Sequence, residues 1–85
     1  MFVMPSHLRS IVDHDGAVIL DISRNTMATL NPTGAYIWQR LIQGMDIETI
    51  IVELARETKT EEIAVANDVS AFMEDLKSRH LVTIS

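Results

Sequence analysis

A chain of 85 residues that is 47% hydrophobic but only 5% aromatic has room for one small, largely aliphatic core and is too apolar for a disordered segment. It contains no cysteine, which removes disulfides, thiolate metal sites and cysteine nucleophiles together. It also has no apolar run near the roughly 20 residues of a membrane span and no signal-peptide pattern at its start. A formal net charge of −5 opposes attraction to nucleic acid and to anionic lipid, so the expectation is a soluble, cytoplasmic, unprocessed chain with neither as a partner.

Leu8, Ser10 and Val12 alternate with Arg9, Ile11 and Asp13, the period of a first strand with both faces partly covered. Asp15-Gly16 follows. Asp-Gly between alternating apolar runs signals a hairpin, because the tight turn needs a positive φ that glycine adopts at little cost. Ala17 to Ile22 reads as a second strand, with Val18, Leu20 and Ile22 on one face. Ser23-Arg24-Asn25 then turns into a third strand, Thr26 to Leu30, with Met27 and Thr29 on one side and Ala28 and Leu30 on the other. This order predicts a three-stranded antiparallel meander whose first and third strands are edges.

At Asn31 the period changes. An asparagine N-cap followed by proline at the first helical position starts a helix directly after the strand, and Ala35, Trp38, Leu41 and Ile42 fall on one face of it. Gly44 ends that helix, and Asp46 caps the next. Ile47, Ile50, Ile51 and Leu54 make the second helix amphipathic to about Glu57. Thr58 has capping-box spacing to Glu61, and Thr60 is an equally good cap for the third helix. There Val65, Val69, Phe72 and Leu76 form a stripe with Ala66 and Met73 beside it, and Glu61 and Glu62 sit at the positive end of the helix dipole. Leu81 to Ile84 reads as one more short strand, a wing. Trp38, Leu41, Leu54, Val69, Phe72 and Leu76 are expected to share one core, and the absence of repeats and linkers makes residues 1–85 one α+β domain.

The twelve carboxylates lie at surface-type positions, and no pair has a spacing that implies a shared acid–base site. A solvated acidic surface is the plainer reading. His7, His14 and His80 lack the i, i+4 pairing that would put two ligands on one helical face. No serine stands in a nucleophile elbow, and three glycines form no phosphate-binding loop. No catalytic residue, metal or cofactor is therefore expected. Three helices with a terminal hairpin also suggest a winged helix-turn-helix, but the third helix carries five acids against two bases between Glu61 and Arg79, the wrong charge for a helix that reads DNA. Three readings compete at this point: a peptide-binding adaptor, a DNA-binding regulator, and a subunit or fragment of an enzyme.

The run Leu30-Asn31-Pro32-Thr33-Gly34-Ala35-Tyr36-Ile37-Trp38, with Leu41, Gly44, Ile50 and Leu54, and then Asp68-Val69-Ser70-Ala71-Phe72-Met73-Glu74-Asp75-Leu76, resembles the family of the pyrroloquinoline-quinone synthesis protein D. Its members are recognition elements for ribosomally made, modified peptides. The Asp-Gly-Ala-Val-Ile-Leu-Asp stretch from Asp15 to Asp21 is most like stand-alone members that serve lasso-peptide pathways. The resemblance implies a winged helix-turn-helix-like recognition domain over 1–85 that is a non-catalytic adaptor, monomeric or dimeric. It would bind the leader of a precursor peptide and deliver it to a leader peptidase and a macrocyclase.

The same resemblance places the peptide in a groove between the third strand, at Asn25, Thr26, Met27, Ala28 and Thr29, and the third helix, at Val65, Asp68, Val69, Phe72 and Met73. An exposed edge strand beside an amphipathic helix is also, on physical grounds, a site for β-augmentation. Read without the family, Val69 and Phe72 fit a core, and Asp68 fits either a solvated acid or a partner for a leader Lys or Arg. Met27 is the apolar residue most readily explained by a partner. One departure is His80, where many relatives have glycine. A helix ending there needs another way to satisfy its last carbonyls.

Overall fold

A computed structural model describes residues 2–3 and 7–84. The elements are β1 (Phe2–Val3), β2 (Leu8–Asp13), β3 (Gly16–Asp21), β4 (Thr26–Leu30), α1 (Pro32–Ile42), α2 (Ile47–Thr58), α3 (Glu62–Ser78) and β5 (Thr83–Ile84). The expected α+β architecture, an antiparallel three-stranded sheet followed by three helices, is the one the chain adopts. The sheet order is β2-β3-β4, which leaves β2 and β4 as its edges. The last strand differs from expectation. It begins at Thr83 and pairs with β1 in a separate ladder, Phe2 opposite Ile84 and Val3 opposite Thr83, while Leu81 and Val82 are buried in the core. A two-residue strand shows no readable period, and its partner lies at the far end of the chain.

The hairpin between β2 and β3 forms where Asp15-Gly16 stands. Gly16 has φ +144°, and a Cβ there would run into the carbonyl oxygen of Leu30, so the turn needs glycine for both its angle and the close approach of β4. Residues opposite each other in a ladder share a face. Ile19 opposes Ser10 and Ala28, and Ala17 opposes Val12 and Leu30; this is the face that packs on the helices. Leu20 opposes Arg9 and Met27, and Val18 opposes Ile11 and Thr29, so the run Val18, Leu20, Ile22 forms the outward face. The expectation that both faces of β2 are partly covered is corrected here, since Arg9, Ile11 and Asp13 are all exposed.

Asn31 caps α1 by accepting the amide of Gly34 at 2.7 Å, with Pro32 in the first turn. Asp46 caps α2 by accepting the amide of Thr49 at 2.7 Å. Neither threonine caps α3, whose N-cap is Glu61 with no side-chain bond. The Thr58 hydroxyl donates to the Leu54 carbonyl at 2.8 Å and the Thr60 hydroxyl to the Thr58 carbonyl at 3.2 Å, so both are engaged in closing α2. The helices end alike: Gly44, Lys59 and His80 all have positive φ, and the next amide reaches back to a carbonyl, Met45 to Arg40 and Thr60 to Ala55 at 3.0 Å, Leu81 to Leu76 at 2.9 Å. His80 therefore adopts the left-handed conformation usual for glycine and closes α3 with the bond that a Schellman motif requires.

The core gathers Ile19, Ile37, Trp38, Leu41, Ile50, Leu54, Val65, Val69, Met73, Leu76, Leu81 and Val82. Five of the six expected core residues are in it, and Phe72 packs against it half-buried. On α1 the buried face is Gly34, Ala35, Ile37, Trp38 and Leu41. Ile42, expected on that face, is 51% exposed at the helix end. Met73, expected beside the α3 stripe, takes the central place that Phe72 was expected to hold, because α3 is rotated so that Phe72 meets the first turn of α1.

Candidate functional site

On the helix side of β4, a cavity of about 420 Å³ opens between that edge strand and the C-terminal end of α3; it is lined by Ile19, Asp21, Thr26, Met27, Ala28, Thr29, Arg79 and Leu81. Among the described residues β4 pairs only with β3, so one row of its backbone amides and carbonyls has no strand partner. The lining is mixed: Ile19, Ala28 and Leu81 supply its apolar part, and Asp21, Thr26, Thr29 and Arg79 the larger polar part. The cavity therefore lies beside an unpaired edge with mixed polar and apolar surface below it. That arrangement can take an extended peptide, whose backbone pairs with β4 while alternate side chains enter the cavity.

Phe72 packs outside the cavity lining, against the first turn of α1. Gly34 lets it come close, since a Cβ on that glycine would lie 3.0 Å from the Phe72 ring and 3.3 Å from Leu30 Cβ. Phe72 thus stands near the Leu30 end of β4, and Arg79 faces Thr26 to Thr29 across the cavity. The Schellman turn at His80 delivers Leu81 to the cavity floor. Arg79 is held on the cavity wall by an ion pair with Asp75, one turn back, at 3.2 Å.

Asp21 is the polar residue at the bottom of this site, 5% exposed at the end of β3. Its Oδ1 accepts the Ser23 hydroxyl at 2.9 Å and the Arg24 amide at 3.1 Å. His7 Nε2 lies 3.6 Å and Arg24 Nε 3.8 Å from the carboxylate. Burial alone would push this carboxyl up, but the Ser23 and Arg24 hydrogen bonds, with the His7 and Arg24 charges, together outweigh it and hold the carboxyl below its ordinary value. The two hydrogen bonds fix the β3–β4 turn, so Asp21 sets where the β4 edge begins. No group of three or more histidines, aspartates or glutamates among the described residues is arranged to hold a metal.

Of the residues the sequence assigned to a peptide groove, the strand set and the helix set fare differently. Thr26, Met27, Ala28 and Thr29 line the cavity. Asn25 precedes them in the turn, with φ 54°. Met27 pairs with Leu20, so its side chain stands on the outward face of the sheet, 66% exposed, and it borders the cavity only at the strand edge. Val65, Val69 and Met73 are 4%, 1% and 4% exposed; they support the groove from within the core and offer almost no free surface. Asp68 is exposed and Phe72 half-buried, and neither lines the cavity. Ile19, Asp21, Arg79 and Leu81 were not assigned. Spacing could have indicated Arg79, because Phe72, Asp75 and Arg79 recur at helical intervals on one side of the core stripe.

The family described as coenzyme PQQ synthesis protein D matches residues 16–82. No curated protein sequence matches the chain. Among solved structures, the chain is similar to TbiB1 in complex with the TbiA(beta) leader peptide, at 23% identity over 96% of this chain and 95% of that one, with a TM-score of 0.89. It is also similar to a lasso peptide synthetase B1 complexed with the leader peptide, at 25% identity over 98% of both chains, with a TM-score of 0.88.

Proposed function

This chain belongs to the coenzyme PQQ synthesis protein D family, and from that premise we propose that it is a non-catalytic, cytoplasmic adaptor for the leader region of a ribosomally synthesised precursor peptide, in a lasso-peptide pathway. The leader adds as a strand to the free edge of β4, places apolar side chains in the cavity above Ile19, Ala28 and Leu81, and is presented to a leader peptidase and then a macrocyclase. Residues 1–85 act as one recognition domain. The observation that carries this reading is the β4 edge, unpaired among the described residues, lying directly beside a cavity of mixed polar and apolar lining. The leader-bound state of the lasso peptide synthetase B1 that this chain resembles supports it.

Presentation also needs a surface for the enzyme. Ile11, Leu20 and Met27 stand exposed on the outward face of the sheet, with Ile22 just beyond the end of β3, at 68%, 39%, 66% and 61% exposure. These are four of the seven large hydrophobics exposed among the described residues, and such a cluster marks an interaction face. A leader strand on β4 would extend the same sheet, so an enzyme on this face would meet both components.

Calorimetric titration of the purified chain with synthetic leader peptides of lasso-peptide precursors tests the reading. Saturable one-to-one binding with no response to duplex DNA is expected. Salt-sensitive DNA binding without leader binding would restore the regulator, and turnover of the precursor by the isolated chain would refute the adaptor role.

A further inference from the structure

A second concavity, of about 390 Å³, lies between α2 and α3 and is lined by Glu48, Ile51, Val52, Glu62, Ile63 and Ala66. It is distant from the β4 groove, because Ile63 and Arg79 are separated by about 24 Å along α3 at 1.5 Å per residue. Its lining combines apolar surface with carboxylates. Ile63 is 74% exposed, the most exposed of the large hydrophobics among the described residues, and Val52 is 39% exposed across from it. Glu48 and Glu62 sit in the first turns of their helices, where a carboxylate suits the helix dipole. That accounts for the acids and leaves Ile63 unexplained, since its side chain points away from the buried stripe of α3 and adds almost nothing to the core.

The charge around it narrows what can cover it. Residues 46–62 carry six carboxylates against Arg56 and Lys59; Glu53 is paired with Arg40 at 3.3 Å, and Glu48 and Glu62 line the groove itself, with no basic residue in its lining. A field of that sign repels nucleic acid and anionic lipid and attracts cations, while the apolar floor rewards a side chain without charge. The groove between two helices has the shape that receives a third. We propose that the α2–α3 groove docks a basic amphipathic helix of a partner protein, with one or two apolar side chains against Val52 and Ile63 and flanking lysines or arginines facing Glu48 and Glu62. This site is independent of the leader groove, so both can be occupied together and the adaptor can hold a leader and a second protein at once.

The probe is a pair of synthetic 15-residue helical peptides with the same leucines at i, i+3, i+4 and i+7, one with lysine at the remaining surface positions and one with glutamate, titrated into the full chain. With the lysine peptide, amide shifts should centre on Ile51, Val52, Ile63 and Ala66 and spare Thr26 to Thr29. The glutamate peptide should bind at least about tenfold more weakly, a difference of about 1.4 kcal/mol. Ile63→Lys should weaken the lysine peptide by at least about tenfold with an unchanged melting temperature, since the side chain is exposed, and Glu62→Lys should weaken it too. Equal affinity for both peptides, shifts on the sheet face or β4 instead, or no shifts at about 1 mM lysine peptide would each overturn the proposal. So would full affinity in folded Ile63→Lys protein.

Discussion

Replacing His80 by glycine should make this protein more stable, although His80 makes the turn that ends α3. Its φ of 60° lies in the left-handed region, where a residue with a Cβ is strained by about 1–2 kcal/mol relative to glycine. Glycine removes that strain and keeps both closing bonds, from the His80 amide to the Lys77 carbonyl at 3.0 Å and from the Leu81 amide to the Leu76 carbonyl at 2.9 Å. Against this gain stands the greater freedom glycine gives the unfolded chain, about 0.4–1 kcal/mol. The two ranges leave a net gain centred near about 0.8 kcal/mol, within about 0–1.6, and the central value raises the melting temperature of a domain this size by roughly 3–6 °C. The assay is calorimetric or circular-dichroism melting of the full chain, with His80→Val as the opposite arm, because a β-branched side chain tolerates positive φ worst. A His80→Gly protein that melts no higher than the parent, or a His80→Val protein that melts as high, would refute the left-handed turn and with it the placement of Leu81 in the groove floor.

Met27→Asp and Met73→Asp should separate binding from folding: the first, on an exposed side chain, should leave the melt unchanged and weaken leader binding by about tenfold or more, while the second buries a charge in the core and should abolish the folded state. Loss of the melt in Met27→Asp would contradict the outward face assigned to it. Trp38→Ala should cost about 3–5 kcal/mol, a large part of the stability of a small domain, and a parent-like denaturation curve would remove Trp38 from the core. Acid should destabilise in a defined window. The carboxyls of Asp21 and Asp46 are held below their ordinary value of 3.8, so the unfolded chain protonates first, their stabilisation is complete above that pH, and it is lost as pH falls through the lowered folded values. Asp46→Asn retains an N-cap and should flatten the fall, as read by denaturant titrations at about pH 5 and about pH 3; an unchanged slope would count against the capping bond as its source.

The elements with strong local chemistry were legible from the chain. Asp15-Gly16 announces its hairpin because few other dipeptides fit the turn, and Asn31-Pro32 announces a strand passing directly into a helix. Trp38, Leu54 and Leu76 fall at helical spacings that leave little choice of face. Where period and hydrophobicity disagree, the sequence is silent on which wins: β3 turns Ala17, Ile19 and Asp21 inward and leaves Val18 and Leu20 outward, and the buried carboxylate is satisfied by the turn that follows. The start of α3 misled for a different reason, since Thr58 and Thr60 have the composition of caps but bond backward to α2. The strand side of the candidate cavity was legible, because the edge position of β4 follows from strand order. The helix side depends on the rotation of α3 about its own axis, which put Val65, Val69 and Met73 into the core and brought Arg79 and Leu81 to the cavity. A one-residue difference in that rotation lies below what an apolar stripe can resolve.

The central claim is that a leader strand pairs with the free edge of β4, and single N-methylation at successive leader residues tests it most directly. Each methyl removes one backbone donor while changing no side chain. In strand addition only every second amide faces β4, so affinity should fall at alternate positions by about tenfold or more and stay near the parent value between them, with amide shifts along Thr26 to Thr29. Uniform tolerance of N-methylation, or a leader that binds as a helix with its shifts clustered on α2, would contradict strand addition even in a chain of this family.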